Sequence, residues 1–207
     1  MTNLILIRHG QSVYNQQNKF TGWVDSELSP IGEEEARKAG DKLRGFGFDI
    51  AYTSVLKRAI DTLSIILDVI NQKDIPIKRD KALNERNYGK LVGMNKDSAR
   101  KEFGVEQVHI WRRSYDIAPP GGESLKDTAL RVIPYFEKNI MLDIKNGKNV
   151  IVSAHGNSLR AIVMKLDNLT NEEVVKLEIP TGMPILYEFD KDFKIIVKKI
   201  LSSSSSS

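Results

Sequence analysis

The chain has 207 residues, of which 41% are hydrophobic and 28% are charged, enough to build one large domain or two small ones. Its formal net charge of +4 is too small and too scattered to indicate a nucleic-acid partner, although it suits a protein that binds small anions. The absence of cysteine excludes disulfides, thiol nucleophiles and thiolate metal sites. Since no apolar run reaches the ~18 residues of a membrane span and no signal peptide is recognised, we expect a cytoplasmic protein with no membrane partner.

Strand and helix patterns alternate through the first half of the chain. Leu4–Ile7 predicts a buried strand, and Ser29 and Pro30 are typical of a helix start because proline fits the first helical position. Residues 49–54 predict a second strand, and the apolar residues of 55–70 recur with the period of a helix. Residues 75–77 predict a short edge strand around Pro76.

The second half begins with residues 80–123, which have few periodic apolar positions and many charges, so we expect irregular structure with a short helix near Lys96–Phe103. The elements predicted after it are a helix over 124–144 that Pro134 should kink, a strand over 150–154, a helix over 157–166, a short helix over 170–177, and a hairpin of 185–189 with 195–200.

This order of elements predicts a three-layer α/β/α sandwich with a mainly parallel central sheet and an antiparallel strand near the C-terminus. We expect one domain over residues 1–201, with 80–123 as an inserted lid region. The six serines of 202–207 cannot pack into a core, and we expect them to form a disordered tail.

Two of the three histidines have the same setting, because His9 and His155 each follow a short apolar strand and each precede a glycine. Ligands of open α/β sheets bind beyond the carboxyl ends of the strands, so we expect both histidines at one edge of the sheet. Either one alone would more often be a hydrogen-bonded strand-end residue, but the matching contexts favour a functional site.

Basic residues that could accompany them are Arg8, Arg58, Arg86, Lys96, Arg112 and Arg113. Singly each would be a solvated surface residue, whereas together with the helix start after Gly156 they could bind a phosphate. A neutral imidazole among such groups can attack phosphorus and carry the phosphoryl group. Glu85 is the best candidate for the proton donor, its alternative being a surface ion pair with Arg86. No spacing indicates a metal site, so we expect metal-independent chemistry.

Leu6–Ser12 resembles the signature of the histidine phosphatase superfamily. Further segments are similar to the cofactor-dependent phosphoglycerate mutases and occur in family order between residue 4 and about residue 188. These segments are Phe20–Trp23, Ser54–Ala59, Leu83–Gly89, Gly93–Lys96, Trp111–Tyr115 and Ser153–Ser158.

The resemblance implies that His9 is the phosphorylated nucleophile and that Glu85 donates and accepts the proton. Arg8, Arg58 and His155 would hold the transferring phosphoryl group. The implied substrate pocket is completed by Ser12, Asn15, Thr21, Gly22, Arg86, Tyr88, Lys96, Arg112, Arg113, Gly156 and Asn157. The family interconverts 3-phosphoglycerate and 2-phosphoglycerate after priming by 2,3-bisphosphoglycerate, with no metal.

In this reaction 2,3-bisphosphoglycerate would also be the intermediate, and it must reorient in the site without escaping. Residues 80–123 are our candidate for the mobile segment that closes over it. The family's longer insertion is missing at 116–122, so a homodimer and a monomer both stay open. The chain also ends soon after its last strand, and without a basic tail over the site we expect more phosphatase side activity.

Two other functions stay open at this level. A phosphatase of the same superfamily, acting on a small phosphorylated metabolite, would use the same chemistry at His9, although it has less need of Lys96, Arg112 and Arg113. A catalytically silent module that binds polyanions is disfavoured, because all the implied catalytic residues are present.

Overall fold

The computed structural model describes residues 1–202, so the predicted disordered tail lies, apart from Ser202, outside the described residues. Within this range one six-stranded sheet forms the centre of the molecule. Its strands are β1 (Thr2–Arg8), β2 (Ile50–Thr53), β3 (Ile77–Arg79), β4 (Val150–Ala154), β5 (Ile185–Phe189) and β6 (Ile195–Ile200).

The strands are ordered β3-β2-β4-β1-β5-β6 across the sheet. The four strands from β3 to β1 pair in parallel, whereas β5 runs antiparallel to both β1 and β6. The mainly parallel sheet and the C-terminal hairpin predicted from the sequence are therefore confirmed.

The α-helices are α1 (Val13–Gln16), α2 (Pro30–Lys42), α3 (Lys57–Val69), α4 (Lys96–Phe103), α5 (Val105–Arg113), α6 (Leu125–Tyr135), α7 (Met141–Lys145), α8 (Gly156–Asp167) and α9 (Asn171–Val174). Short 3₁₀ turns occur at Lys81–Leu83 and Gly89–Leu91. The Ser29 side chain caps α2 by accepting from the Gly32 N–H, and Pro30 occupies its first turn, as the sequence predicts. No helix within residues 1–202 is long and apolar enough to cross a membrane.

Helices cover both faces of the sheet, which confirms the three-layer sandwich. Alternate residues of β1 show this, because Leu4 and Leu6 pack in the cluster that contains α6 and α8. Ile5 and Ile7 point to the opposite cluster, with α2 and α3. Every one of these four side chains is fully buried, as expected of a central strand that helices cover on both faces.

The segment 80–123 is more regular than the sequence predicts. The expected helix over Lys96–Phe103 is present, but a second helix, α5, follows it directly and carries Arg112 and Arg113 in its last turn. These helices bury their apolar faces in a small separate cluster that includes Phe20 and Trp111. The prediction of irregular structure here was wrong because α5 has only two buried apolar positions, too few for a clear period.

The helix predicted over 124–144 is present in three pieces. Pro134 lies near the end of α6, and the next five residues, Phe136–Ile140, form a π-helical turn that leads into α7. Proline has no N–H to donate to the preceding turn, so it marks the point where regular α-helical bonding weakens. The short helix predicted over 170–177 is also shorter, because α9 ends at Val174.

Candidate active site

Three neighbouring strands supply the centre of the candidate site. β1, β4 and β2 lie close together in the sheet, and His9, His155 and Ser54 directly follow their carboxyl ends. The rings of His9 and His155 meet edge to face with their centroids 4.9 Å apart. The structure thus brings the two histidines together at one edge of the sheet, as the parallel-strand argument predicts.

The backbone around His9 is unusually crowded. A side chain added at Gly10 would begin 2.1 Å from the carbonyl oxygen of Gly32, in the first turn of α2. Only glycine leaves room for this close approach between the strand end and the helix. The glycine after His9 therefore has a packing reason, and it fixes the backbone from which the imidazole projects.

The ring of His9 is held as a neutral imidazole with a defined tautomer. Its Nδ1 lies 2.7 Å from the carbonyl oxygen of Gly10. A carbonyl oxygen can only accept, so Nδ1 carries the proton and Nε2 keeps its lone pair. Burial, followed by the charges of Arg58 and Arg8, keeps the pKa of His9 well below its ordinary value. Nε2 is therefore available as a nucleophile at neutral pH.

Arg58 is fixed beside that nitrogen. Its Nε lies 3.3 Å from His9 Nε2, and its two terminal nitrogens donate to the carbonyl oxygens of Val24 and Gly22 at 2.9 and 2.8 Å. The side chain is 1% exposed. Burial lowers the pKa of Arg58 to about 10, which still leaves it charged at neutral pH. A guanidinium locked in this way is a preorganised partner for an anion at His9.

His155 lies on the other side of the nucleophile, at the start of α8. Its Nε2 forms a 2.7 Å hydrogen bond with Ser54 Oγ. Its Nδ1 is buried and has no hydrogen-bond partner among the described residues. Burial, then Arg58 and the other neighbouring groups, keeps the pKa of His155 well below its ordinary value. An unpaired buried nitrogen next to the nucleophile is typical of a position that a ligand completes.

Glu85 reaches the same centre from the 80–123 segment. Its Oε1 accepts from the backbone N–H of Arg86 at 2.7 Å and from the backbone and side-chain N–H groups of Asn157 at 3.1 and 3.0 Å. Its Oε2 lies on the side of Gly156, where a side chain would begin 3.7 Å away. Glu85 as a whole is 8% exposed. The alternative of a surface ion pair with the Arg86 guanidinium does not describe this arrangement.

A pocket opens above these residues. The predicted site residues that line it are Arg8, His9, Asn15, Thr21, Gly22, Arg58, Glu85, Tyr88, Lys96, Arg112, Arg113, Gly156 and Asn157. Burial, reinforced by neighbouring cations, lowers the pKa values of Lys96 and Arg112. The repulsion among these cations would be relieved by a bound anion, so the pocket is suited to an anionic ligand.

Three predicted site residues are buried and are not among the residues that line the pocket. His155 contacts the His9 ring, Ser12 caps α1 and holds Asn15, and Arg86 is buried with its guanidinium 4.7 Å from the centre of the Tyr88 ring. Ser12 and Arg86 each support a residue that lines the pocket, whereas His155 keeps an unpaired Nδ1 that a ligand at His9 could engage.

The sequence-based prediction also missed five lining residues, which are Lys19, Phe20, Arg160, Glu178 and Ile179. One signal was present for Arg160, since it lies one helical turn after Gly156 and so shares its face of α8. Nothing in the local sequence indicates Glu178, because its position depends on contacts with distant parts of the chain.

The sequence profile of the histidine phosphatase superfamily (branch 1) matches residues 4–200. The chain belongs to this superfamily. The resemblance stated from the motifs is therefore confirmed.

Curated relatives match nearly the full length of this chain. A protein of Parvibaculum lavamentivorans named 2,3-bisphosphoglycerate-dependent phosphoglycerate mutase is 56% identical over 96% of this chain and 95% of its own. A Schizosaccharomyces pombe protein named phosphoglycerate mutase is 52% identical over 97% of this chain and 96% of its own.

Solved structures of the superfamily share the fold. YhfR of Bacillus stearothermophilus superposes with a TM-score of 0.82 at 25% identity, covering 95% of both chains. A phosphoglycerate mutase from Bacillus anthracis superposes with a TM-score of 0.78 at 26% identity, covering 97% of this chain and 93% of its own.

Proposed function

We propose that this member of the histidine phosphatase superfamily is a phosphoglycerate mutase, which interconverts 3-phosphoglycerate and 2-phosphoglycerate through a phosphorylated His9. The observation that carries the proposal is the neutral His9 Nε2 held 3.3 Å from the buried Arg58 guanidinium. The names of the relatives at 52–56% identity support the mutase reaction in particular.

The pocket has the donors that a doubly phosphorylated ligand needs. Near His9, Arg8 Nε and His155 Nδ1 are buried without a hydrogen-bond partner among residues 1–202. Further out, Lys96, Arg112 and Arg113 add positive charge. Phosphates carry about −1.5 to −2 each at neutral pH, so one cluster of cations per anionic end fits a ligand with two such ends. 2,3-Bisphosphoglycerate, when bound, supplies the phosphoryl group that primes His9.

The residues divide the chemistry between them. His9 Nε2 attacks phosphorus, forming an N–P bond as the bond from phosphorus to the sugar-acid oxygen breaks. Glu85 donates a proton to that departing oxygen and takes one back from the hydroxyl that next attacks the phosphohistidine. Arg8, Arg58 and His155 stabilise the charge on the phosphoryl oxygens in both steps. The phosphohistidine gives its phosphoryl group to the free hydroxyl of 3-phosphoglycerate, which forms 2,3-bisphosphoglycerate. His9 then takes the other phosphoryl group, which releases 2-phosphoglycerate and restores the phosphohistidine.

We also propose that residues 1–201 act as one domain and that α4 and α5, within the 80–123 segment, cover the bound ligand. Their small apolar cluster with Phe20 is separate from the two clusters that flank the sheet. A unit with its own cluster can shift relative to the sheet at low cost in core packing. The remainder of the segment holds Glu85 and belongs to the fixed part of the site.

A coupled assay that follows 2-phosphoglycerate formation from 3-phosphoglycerate tests the proposal. We expect turnover that depends on added 2,3-bisphosphoglycerate and that the phosphoryl mimic vanadate inhibits. If the protein instead released inorganic phosphate from several phosphorylated metabolites, and isomerised 3-phosphoglycerate neither with nor without added 2,3-bisphosphoglycerate, it would be a phosphatase.

A further inference from the structure

Glu178 is an acidic residue in a pocket otherwise rich in cations. Of the described residues that line this pocket, only Glu85 and Glu178 carry carboxylates. Glu85 contacts Asn157 near the reacting centre, whereas Glu178 lies in the segment between α9 and β5. The proposed reaction so far gives Glu178 no role, although a carboxylate in an anion pocket opposes binding of the substrate.

The backbone on both sides of Glu178 is held by arginines of the pocket. Arg160 Nε donates to the carbonyl oxygen of Leu177 at 2.7 Å, and Arg8 donates through a terminal nitrogen to that of Ile179 at 2.8 Å. Arg8 and Ile179 are 171 residues apart in the chain, so this contact depends on the tertiary fold. The carboxylate of Glu178 is thus presented to the pocket from a backbone fixed at two points.

That carboxylate is paired with a cation assigned above to the substrate. Glu178 Oε1 lies 2.7 Å from a terminal nitrogen of Arg113, and its Oε2 lies 3.7 Å from Arg160. Burial alone would raise the pKa of Glu178, but the hydrogen bond and charge of Arg113 lower it overall, so the group is ionised at neutral pH. Arg113 is 34% exposed against 1% for Arg58, which places this pair on the open side of the pocket.

We propose that Glu178 is a specificity-determining residue, which competes with the outer anionic group of the ligand for Arg113. The inference rests on the proposed function, since it assumes a ligand with two anionic ends. An ion that binds only at His9 leaves the Glu178–Arg113 pair intact. A phosphoglycerate whose outer end takes Arg113 must first displace Glu178. The displaced carboxylate weakens binding of two-ended ligands and speeds their release without touching the reacting phosphoryl group.

The test compares Glu178→Gln with the wild-type protein by isothermal titration calorimetry. The two probes are 3-phosphoglycerate, which has two anionic ends, and vanadate, which has one. Because exposed ion pairs contribute about 0.2–1 kcal/mol, we expect the dissociation constant of 3-phosphoglycerate to fall by a factor of about 1.4 to 5. The dissociation constant of vanadate should stay unchanged. Glu172→Gln, in α9 and outside the pocket, is the control that removes the same charge.

A second variant tests the partner. In an Arg113→Gln background the additional change Glu178→Gln should affect binding of 3-phosphoglycerate much less than it does in the wild type, because the 2.7 Å contact with Arg113 is gone and only the 3.7 Å contact with Arg160 is left. Unchanged or weaker binding of 3-phosphoglycerate by Glu178→Gln would overturn the inference. Equal tightening for vanadate, or for Glu172→Gln, would do the same, since it would identify a general charge effect. If the wild-type protein binds vanadate but no phosphoglycerate, the proposed function itself fails, and this inference fails with it.

Discussion

Arg131, in α6, fastens the backbone that carries Glu85, although it does not line the pocket. It donates five hydrogen bonds, two to the Glu123 carboxylate and one each to the carbonyl oxygens of Ala82, Asn84 and Glu85. The planar guanidinium presents these donors in a fork, whereas lysine has a single nitrogen with three. Arg131→Lys should therefore keep the ion pair with Glu123 and lose the three carbonyl bonds.

The expected loss of stability follows from those three hydrogen bonds. At about 1 kcal/mol each they contribute about 3 kcal/mol, and water replaces part of this where the side chain is exposed. Since the Arg131 side chain is 21% exposed, we expect a loss of about 2 kcal/mol in the free energy of unfolding. A displacement of Glu85 should also lower kcat by about 10- to 100-fold. KM for 3-phosphoglycerate should change little, because Arg131 does not contact the pocket.

Urea unfolding and the coupled mutase assay measure both effects. Arg37→Lys is the matched control, because Arg37 forms an exposed ion pair with Glu33 and should change neither quantity. If Arg131→Lys lost stability yet kept kcat within twofold of the wild type, the reasoning that Arg131 positions Glu85 would be refuted. Unchanged stability would refute the hydrogen-bond accounting.

Three other changes have definite expected outcomes. Glu85→Gln should lower kcat in the coupled assay by about 10²–10⁴, and a near-normal rate would assign the proton transfer to another group. Arg58→Lys should lower kcat by about 10²–10³, because lysine cannot bond Gly22 and Val24 while facing His9; full activity would contradict a preorganised guanidinium. Burial alone would raise the pKa of Asp143, but hydrogen bonds from Tyr52, Lys148 and Lys78 lower it from 3.8 to about 2. A carboxylate with a depressed pKa contributes stability that is fully present above pH ~4 and is lost as the pH falls through about 2. Asp143→Asn should therefore lower the free energy of unfolding in urea by about 1–2 kcal/mol at pH 7, allowing for the exposed lysines, and by little at pH 2. An equal cost at both pH values would contradict this.

The central part of the fold and of the site could be predicted because local patterns determine it. Buried parallel strands are continuous apolar runs, and the residues that follow them must meet at one edge of the sheet. His9 and His155 both follow such runs, so their proximity needs no knowledge of the loops. Arg58, in the first turn of the helix after β2, is placed by the same argument.

The outer pocket depends on contacts that local patterns do not encode. α5 packs on Phe20, about ninety residues earlier in the chain, and so its position could not be read from its own short apolar pattern. Glu178 takes its place because Arg8 and Arg160 bind the carbonyl groups beside it. Arg86 differs in its placement, since its motif predicts a pocket residue and the structure buries its guanidinium against the Tyr88 ring; its part in substrate binding stays a prediction.

The central claim is that His9 carries the phosphoryl group, and it can be measured directly. The protein is incubated with radiolabelled 2,3-bisphosphoglycerate, and the labelled peptide is identified after digestion. We predict an acid-labile, alkali-stable phosphate on His9 that is missing in His9→Ala, together with loss of mutase turnover in that variant. Label on another residue, or sustained turnover by His9→Ala, would contradict the account.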